Sequence, residues 1–384
     1  MFIRLNNYLL GAFLALGILD VLINRRLPVL RENLLRSWPV LVFFLLALLA
    51  CLRTFGWESL TLLERYWSFL LLPIVLFSRP ALFSEKRREV FLALTYGCIA
   101  TLLICYGNLI WNMYQNGDTI RQLYQPDYVG QAFTAIADSH PPYLGLFILT
   151  AIVFLINDRV LSKKDIFLHV VFLILGLFQL ASRMAILLLL ILFVFLLLWF
   201  IRQYSWQILV LFSGILLIGV VFMNYGSNYM ADRFFRPQAY TIESRLQRWE
   251  VSYDIFRENP LLGVGYQKVR DMRAQMYRDR NLPFGQEGDY NAHNQFLEYL
   301  STNGAIGGFV YVVSLMYLLL FSLARRDLVF VFVFASFLIA NMSESNMVRI
   351  KGIEYFAIFA TVFLIGTVFG KEQPEVLAAG NPGV

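Results

Sequence analysis

Apolar runs of about membrane-crossing length recur from end to end of the chain, parted by short polar or charged connections. They fall at roughly 8–23, 38–54, 60–77, 90–110, 142–157, 166–181, 184–201, 207–223, 305–323, 328–342 and 353–369. About 20 helical residues cross the ~30 Å hydrocarbon core of a bilayer. The pattern therefore predicts an all-α polytopic membrane protein with about eleven transmembrane helices. Two stretches interrupt it, a medium loop at 111–141 and a long polar loop at 224–303. In the long loop, Leu246, Trp249, Tyr253 and Phe256 recur at helical spacing and predict an amphipathic helix over 243–259, which Asn259 and Pro260 stop. Gly263 and Gly265 frame a turn, and Val269, Met272 and Met276 mark one face of a second helix over 266–280. Asn291 reads as the N-cap of the helix that follows, which places His293 in its first turn. The two loop helices are too short and too polar to span, so they are expected at headgroup level over the outer mouth of the bundle. The expected organisation is 1–223 for transmembrane helices one to eight, 224–303 for the outer loop, 304–370 for the last three spans and 371–384 for a cytoplasmic tail.

Composition agrees with the pattern. Of 384 residues, 59% are hydrophobic and 15% charged, with 35 Phe, 20 Tyr and 7 Trp. A soluble domain is roughly 45–50% apolar and ~25% charged, and could not hide this surplus in one core. The net charge of +6 raises the question of nucleic acid. Residues 224–303, however, hold ten basic and ten acidic side chains, so the whole excess sits in the other loops and helix ends, as a topology signal does. Nucleic acid is excluded as the expected partner. Counted over the short connections, fourteen Lys and Arg lie on one side (Arg25 and Arg26, Arg87 and Arg88, Arg325 and Arg326 among them) and five on the other: Arg53, Arg121, Arg183, Arg349 and Lys351. The basic side is then cytoplasmic and both larger loops face outward. This orientation puts the amino terminus outside, unless a further helix precedes the first one counted. Arg4 ahead of an apolar run is similar to a signal peptide, but Leu22, Ile23, Asn24, Arg25 and Arg26 follow it with no small-residue cleavage site, so it reads as a retained helix. Cys51, Cys98 and Cys105 fall inside apolar runs without metal-ligand spacing, and imply neither a disulfide framework nor a zinc site.

Candidate chemistry follows from which polar residues this topology gathers. Arg183 stands in a turn between two apolar runs, where an arginine left in hydrocarbon costs roughly 2.5–3.5 kcal/mol. It either faces a polar cavity or snorkels to the interface as an anchor. Arg245 opens the first loop helix and Arg248 lies on nearly the same face; taken alone, both read as a solvated helix face paired with Glu243 or Glu250. Of the three histidines, His169 lies in an apolar run and reads as packing. His140 precedes Pro141, Pro142 and Tyr143 at the outer mouth, where it could close over or support a site. His293 ends the long loop. Arg183, Arg245 and His293 converge on the outer face under a topology assigned without them. Two guanidiniums and an imidazole at a membrane surface suit a lipid-linked pyrophosphate, because the planar fork of arginine binds phosphate oxygens bidentately and keeps its charge. In the first turn of a helix, the positive dipole end keeps an imidazole neutral and able to take a proton from a sugar hydroxyl. No carboxylate pair, metal-ligand cluster or glycine-rich phosphate loop stands beside these residues in the sequence.

Four stretches now carry a resemblance: Ala181 to Arg183, Ser244 to Trp249, Asn259 to Gly265 and Asn291 to Leu297, in that order. The set resembles the signature stretches of the O-antigen ligase / O-antigen polymerase superfamily, over roughly residues 90–370. The resemblance implies a GT-C type glycosyltransferase of about twelve helices in the bacterial inner membrane, acting at the periplasmic face without a metal or other cofactor. The implied donor is an undecaprenyl-diphosphate-linked glycan. The implied acceptor is lipid A-core or another glycan, with membrane lipid around the protein. By the same resemblance Arg183 and Arg245 match the diphosphate-binding arginines and His293 the base, with Arg248, His140 and Asn294 as secondary candidates. One long outer loop ending in His293 and Asn294 favours an inverting O-antigen ligase. The alternative is a polymerase joining carrier-linked repeats. Protein O-oligosaccharyltransferases share the domain but are typically longer. A flippase or transporter of lipid-linked sugar is expected to show internal repeats and ionisable residues near mid-membrane, which this sequence lacks.

Overall fold

The computed structural model describes residues 3–158, 160–200, 229–230, 239–282 and 291–369. Every regular element among them is a helix. The first half runs through α1 (Ile3–Ile23), α2 (Leu27–Asn33), α3 (Trp38–Arg53), α4 (Trp57–Leu63), α5 (Trp67–Phe77), α6 (Pro80–Glu85), α7 (Arg87–Asn116), the short α8 (Gln131–Thr134), α9 (Pro141–Asn157), α10 (Lys163–Gln179) and α11 (Arg183–Phe200). The second half holds α12 (Ala239–Glu258), α13 (Tyr266–Asp279), α14 (Gln295–Ala324), α15 (Leu328–Asn341) and α16 (Ile350–Phe369).

Among the described residues, five helical stretches are long and apolar enough to cross a membrane: Leu27–Arg53, Ser59–Phe77, Arg87–Asn116, Gln295–Ala324 and Ile350–Thr367. A sixth is possible if Pro126–Ala137 and Pro141–Asn157, bent by 81° at their junction, count as one span. The expected eleven are therefore not all found as full-length spans. The runs at 8–23, 184–201 and 328–342 fold as shorter apolar helices, Asn7–Ile23, Arg183–Leu196 and Leu328–Asn341. The run at 166–181 is carried by α10, and that at 207–223 lies outside the described residues. The physical reason is plainest in α15. Phe330, Val331, Phe332, Val333 and Phe334 are all buried, so its apolar faces meet protein on every side, and such a helix need not match the bilayer.

Ion pairs fix one end of the bundle. Arg79 pairs with Asp20 of α1, Arg87 reaches Asp327, the N-cap of α15, at 2.7 Å, and Arg88 donates to Asp158 at the end of α9 at 2.7 Å. Burial works to raise the Asp158 carboxyl. The Arg88 guanidinium and the N–H groups of Val160 and Leu161 outweigh it and hold its pKa below the ordinary value. Because α9 ends and α15 begins at this basic end, Pro141 and Asn341 lie at the opposite end. A Cβ on Gly145 would fall 2.6 Å from that of Ala185, so the start of α11 joins them there.

The loop 259–265 is stitched to a break in α14. Gly304, at φ +68°, interrupts the helix, and backbone groups on both sides of it find partners in the loop. Ala305 N–H donates to the Pro260 carbonyl (2.7 Å) and Ile306 N–H to that of Leu261 (3.3 Å). In return, Val264 N–H donates to the Ser301 carbonyl (3.1 Å) and Gly265 N–H to that of Thr302 (2.9 Å). A helix break strands polar groups that must be satisfied elsewhere, and each such bond contributes roughly 0.5–1.5 kcal/mol net. Gly263, at φ +67°, sits at the closest approach, where a Cβ would fall 2.3 Å from the Thr302 carbonyl. Gly117, at φ +70°, caps α7 with no neighbour within 4 Å. Gly117→Ala should therefore cost only the left-handed backbone penalty, roughly 1–2 kcal/mol, while Gly263→Ala should cost clearly more because the new methyl meets backbone. Midpoints of thermal unfolding in detergent check this; equal shifts for the two variants would show that the loop is not seated as described.

Candidate active site

The site end is built from three chain segments that meet. The first is α12, whose buried face carries Arg248, Val251, Ser252 and Ile255. Val251 and Ile255 form a small core with Val264, Val269 and Tyr277, with Met272 and Met276 packed against it. Of the stripe singled out from the sequence, Leu246 (56%) and Tyr253 (51%) are exposed, while Trp249 and Phe256 are half-buried. The reason is the position of α13, which takes up the Val251 and Ile255 face and leaves Leu246 and Tyr253 outward. Arg248 is thus not a solvated surface residue. It is buried, its guanidinium lies 5.9 Å from the Tyr277 ring centroid, and its Nη1 reaches the Asn291 carbonyl at 3.5 Å.

The second segment is the turn 291–294. The expected cap at Asn291 is not found there. Asn294 is the N-cap of α14, its side chain accepting from Leu297 N–H at 3.1 Å, and the helix starts at Gln295. The Asn291 side chain instead accepts from His293 N–H at 3.0 Å, a local turn that keeps it from the helix. His293 therefore precedes the helix, at φ +46°, and the dipole argument for its protonation falls with the cap. A non-glycine residue in the left-handed region costs of order 1–3 kcal/mol and persists where the surroundings over-determine it. Ala181, two residues before Arg183, has the same kind of backbone at φ +45°.

The third segment is the loop between α15 and α16. Glu344 lies 3.1 Å from His293 Nδ1 through one carboxylate oxygen and 3.5 Å from Arg245 Nη2 through the other. The same loop holds the turn from behind: Ser345 Oγ accepts from Asn294 N–H at 3.2 Å, and Asn294 Nδ2 donates to the Met342 carbonyl at 3.2 Å. One carboxylate thus joins the loop helix and the histidine turn. The Arg245 contact is an ion pair without a close hydrogen bond, and its side chain is 38% exposed. Pairs of this kind contribute roughly 0–1 kcal/mol, so a dianionic ligand could take the guanidinium over.

Arg183 and His140 are placed by helix ends. Arg183 is exposed at the start of α11, and His140 is exposed just before Pro141, its ring 5.9 Å from that of Tyr143. Tyr143 in turn lies within electrostatic range of Glu344 and Arg349. His169 is half-buried away from this end, its Nδ1 2.6 Å from the Asp165 carbonyl and its ring edge-on to Tyr96.

Residues 168–312 match the family model described as O-antigen ligase (Wzy_C). The match supports the O-antigen ligase / polymerase superfamily. The matched stretch contains Arg183, Arg245, Arg248, His293 and Asn294, while His140 and Glu344 lie outside it. No curated protein matches the chain. Three residues of the site end escaped the sequence reading: Glu344, Glu298 and Arg273. The signals were present but slight. Glu344 is a carboxylate in a short outer loop read only for its arginine and lysine, and Arg273 falls on the apolar face of α13, four residues after Val269. Asn294→Ala should remove the cap and lower stability by about 1 kcal/mol, with Asn294→Asp retaining most of it. Thermal unfolding in detergent reads the difference, and an unshifted midpoint for the alanine variant would place the cap elsewhere.

Proposed function

We propose that this protein is an inverting O-antigen ligase of the bacterial inner membrane. In this reading it transfers a glycan from an undecaprenyl-diphosphate carrier to a sugar hydroxyl of lipid A-core at the periplasmic face. The observation that carries the reading is the meeting of Arg245 and His293, two residues of the stretch that matches the family model, on Glu344 of the loop between α15 and α16. Residues 1–223 and 304–370 serve as the membrane part, 224–303 as the periplasmic loop and 371–384 as the cytoplasmic tail.

Nδ1–H of His293 donates to Glu344, and in the neutral ring this leaves the proton-accepting lone pair on Nε2. The acceptor hydroxyl attacks the anomeric carbon, its proton passes to Nε2, and the bond from that carbon to the diphosphate oxygen breaks. Arg245 and Arg183 bind the diphosphate and stabilise the charge that builds on it as it leaves. A single displacement inverts the anomeric centre. Arg248, tied to Asn291, and Asn294, which caps α14, hold the turn, while His140 stands over the same end.

In a strain lacking the chromosomal gene, the parental protein should restore polymer-bearing lipopolysaccharide, and His293→Ala should leave core alone, with a transfer rate lowered about 10²–10⁴-fold in purified form. Arg183→Ala and Arg245→Ala should weaken donor use, and lysine at either place should restore only part of it. Core carrying one repeat in the deletion strain would favour a polymerase, and a parental rate for all three alanine variants would end this reading. For topology, a cysteine at Gly285 should react with an impermeant thiol reagent added outside, and one at Lys163 should not. The reverse labelling would put the site on the wrong side of the membrane.

A further inference from the structure

We infer that Glu298 and Arg273 are positioning residues for His293: a buried carboxylate on α14 grips the backbone of the histidine turn and is itself gripped by an arginine from α13. The inference deepens the reading of His293 as the base. Arg273 is 1% exposed and Glu298 7%, so this ion pair is removed from water. Both of its members make further hydrogen bonds. Arg273 Nη1 donates to Glu298 Oε1 at 2.6 Å, and Nη2 to Ser301 Oγ at 2.7 Å. Glu298 Oε2 accepts from Ala292 N–H at 2.9 Å, one residue before His293.

Stability alone does not account for the pair. Well-packed apolar side chains of similar volume often do as well or better than a buried salt bridge. What they cannot do is accept a hydrogen bond from a backbone N–H inside a turn. That bond matters here because His293 holds a left-handed backbone at φ +46°, which must be fixed from its neighbours. Asn291 Oδ1 fixes the His293 N–H, and Glu298 fixes the N–H before it. Arg273 reaches the turn through Glu298, and Arg248 of α12 reaches it directly at the Asn291 carbonyl. Both loop helices are thus coupled through guanidiniums to the aim of one imidazole.

The test uses full-length protein in detergent and a readout that does not depend on transfer. The chain has 3 histidines, so diethylpyrocarbonate labelling followed by mass spectrometry separates them. Glu298→Gln removes the charge and loosens the grip at nearly constant shape. It should speed labelling of His293 at least about threefold and leave His140 and His169 within about 1.5-fold. It should also lower the transfer rate about tenfold with donor affinity changed less than twofold. In a His293→Ala background the same substitution should change the residual rate less than twofold, because its effect passes through His293. Arg273→Lys, which keeps the charge but not the two-pronged grip, should give the same pattern more weakly, and serves if Glu298→Gln does not accumulate. Unchanged labelling of His293, uniform speeding at all three histidines, or an equal loss of rate in both backgrounds would overturn the inference. If His293→Ala itself transfers at the parental rate, the assignment of the base fails, and the labelling still decides whether Glu298 holds the turn.

Discussion

The break in α14 at Gly304 is the constraint on which the rest of the site end depends. An unbroken helix would satisfy its own backbone and offer nothing to the loop. Broken, it presents the Ala305 and Ile306 N–H groups and the Ser301 and Thr302 carbonyls to residues 260–265, and the loop answers each with a backbone partner. Only glycine allows it, since both Gly263 and Gly304 have positive φ and sit where a Cβ would strike the facing chain. Seating that loop also sets where α12 ends and α13 begins, and hence where Arg245, Arg248 and Arg273 project from. Gly265 completes the seat against the end of α3, with a Cβ position 2.9 Å from the Ala50 carbonyl.

Charge is distributed between the two ends of the bundle in different ways. At the basic end, Asp20, Asp158 and Asp327 each meet an arginine, and the pairs lock helix termini to one another. At the site end, two carboxylates divide the work by burial. Glu298 is enclosed, and its bonds to Arg273 and Ala292 hold a backbone in place. Glu344 is a quarter exposed and touches the two groups assigned to the reaction, Arg245 and His293. The enclosed carboxylate suits a fixed scaffold because breaking a buried pair is expensive, roughly 3–5 kcal/mol. The accessible one suits a contact that the proposed diphosphate would share or displace.

The outward stripe on α12 fits the same arrangement. The helix buries Arg248 toward Asn291 beside Val251 and Ile255, while Leu246 and Tyr253 are turned out. That arrangement suits the proposed lipid-linked donor, with apolar side chains outward and Arg248 behind them.

The sequence by itself determined what depends on local pattern. Apolar runs, the stop at Asn259 and Pro260, the turn at Gly263 and Gly265 and the Val269 face of α13 are all legible, because helix periodicity and backbone chemistry are properties of neighbours in the chain. Arg245 and His293 were legible as candidates, since their residue types and order carry the resemblance to the superfamily. The tertiary structure decided the rest. Which face of α12 is buried depends on α13, and the period alone does not decide it. Whether Asn291 or Asn294 caps α14 depends on which side chain the turn itself consumes, and His293 left the helix with that choice. Glu344 lies 51 residues after His293 and Glu298 lies 25 after Arg273, and no local pattern marks partners so far apart. The number of full spans belongs to this class as well, because an apolar run reads the same whether lipid or protein surrounds it, and only packing tells the two apart.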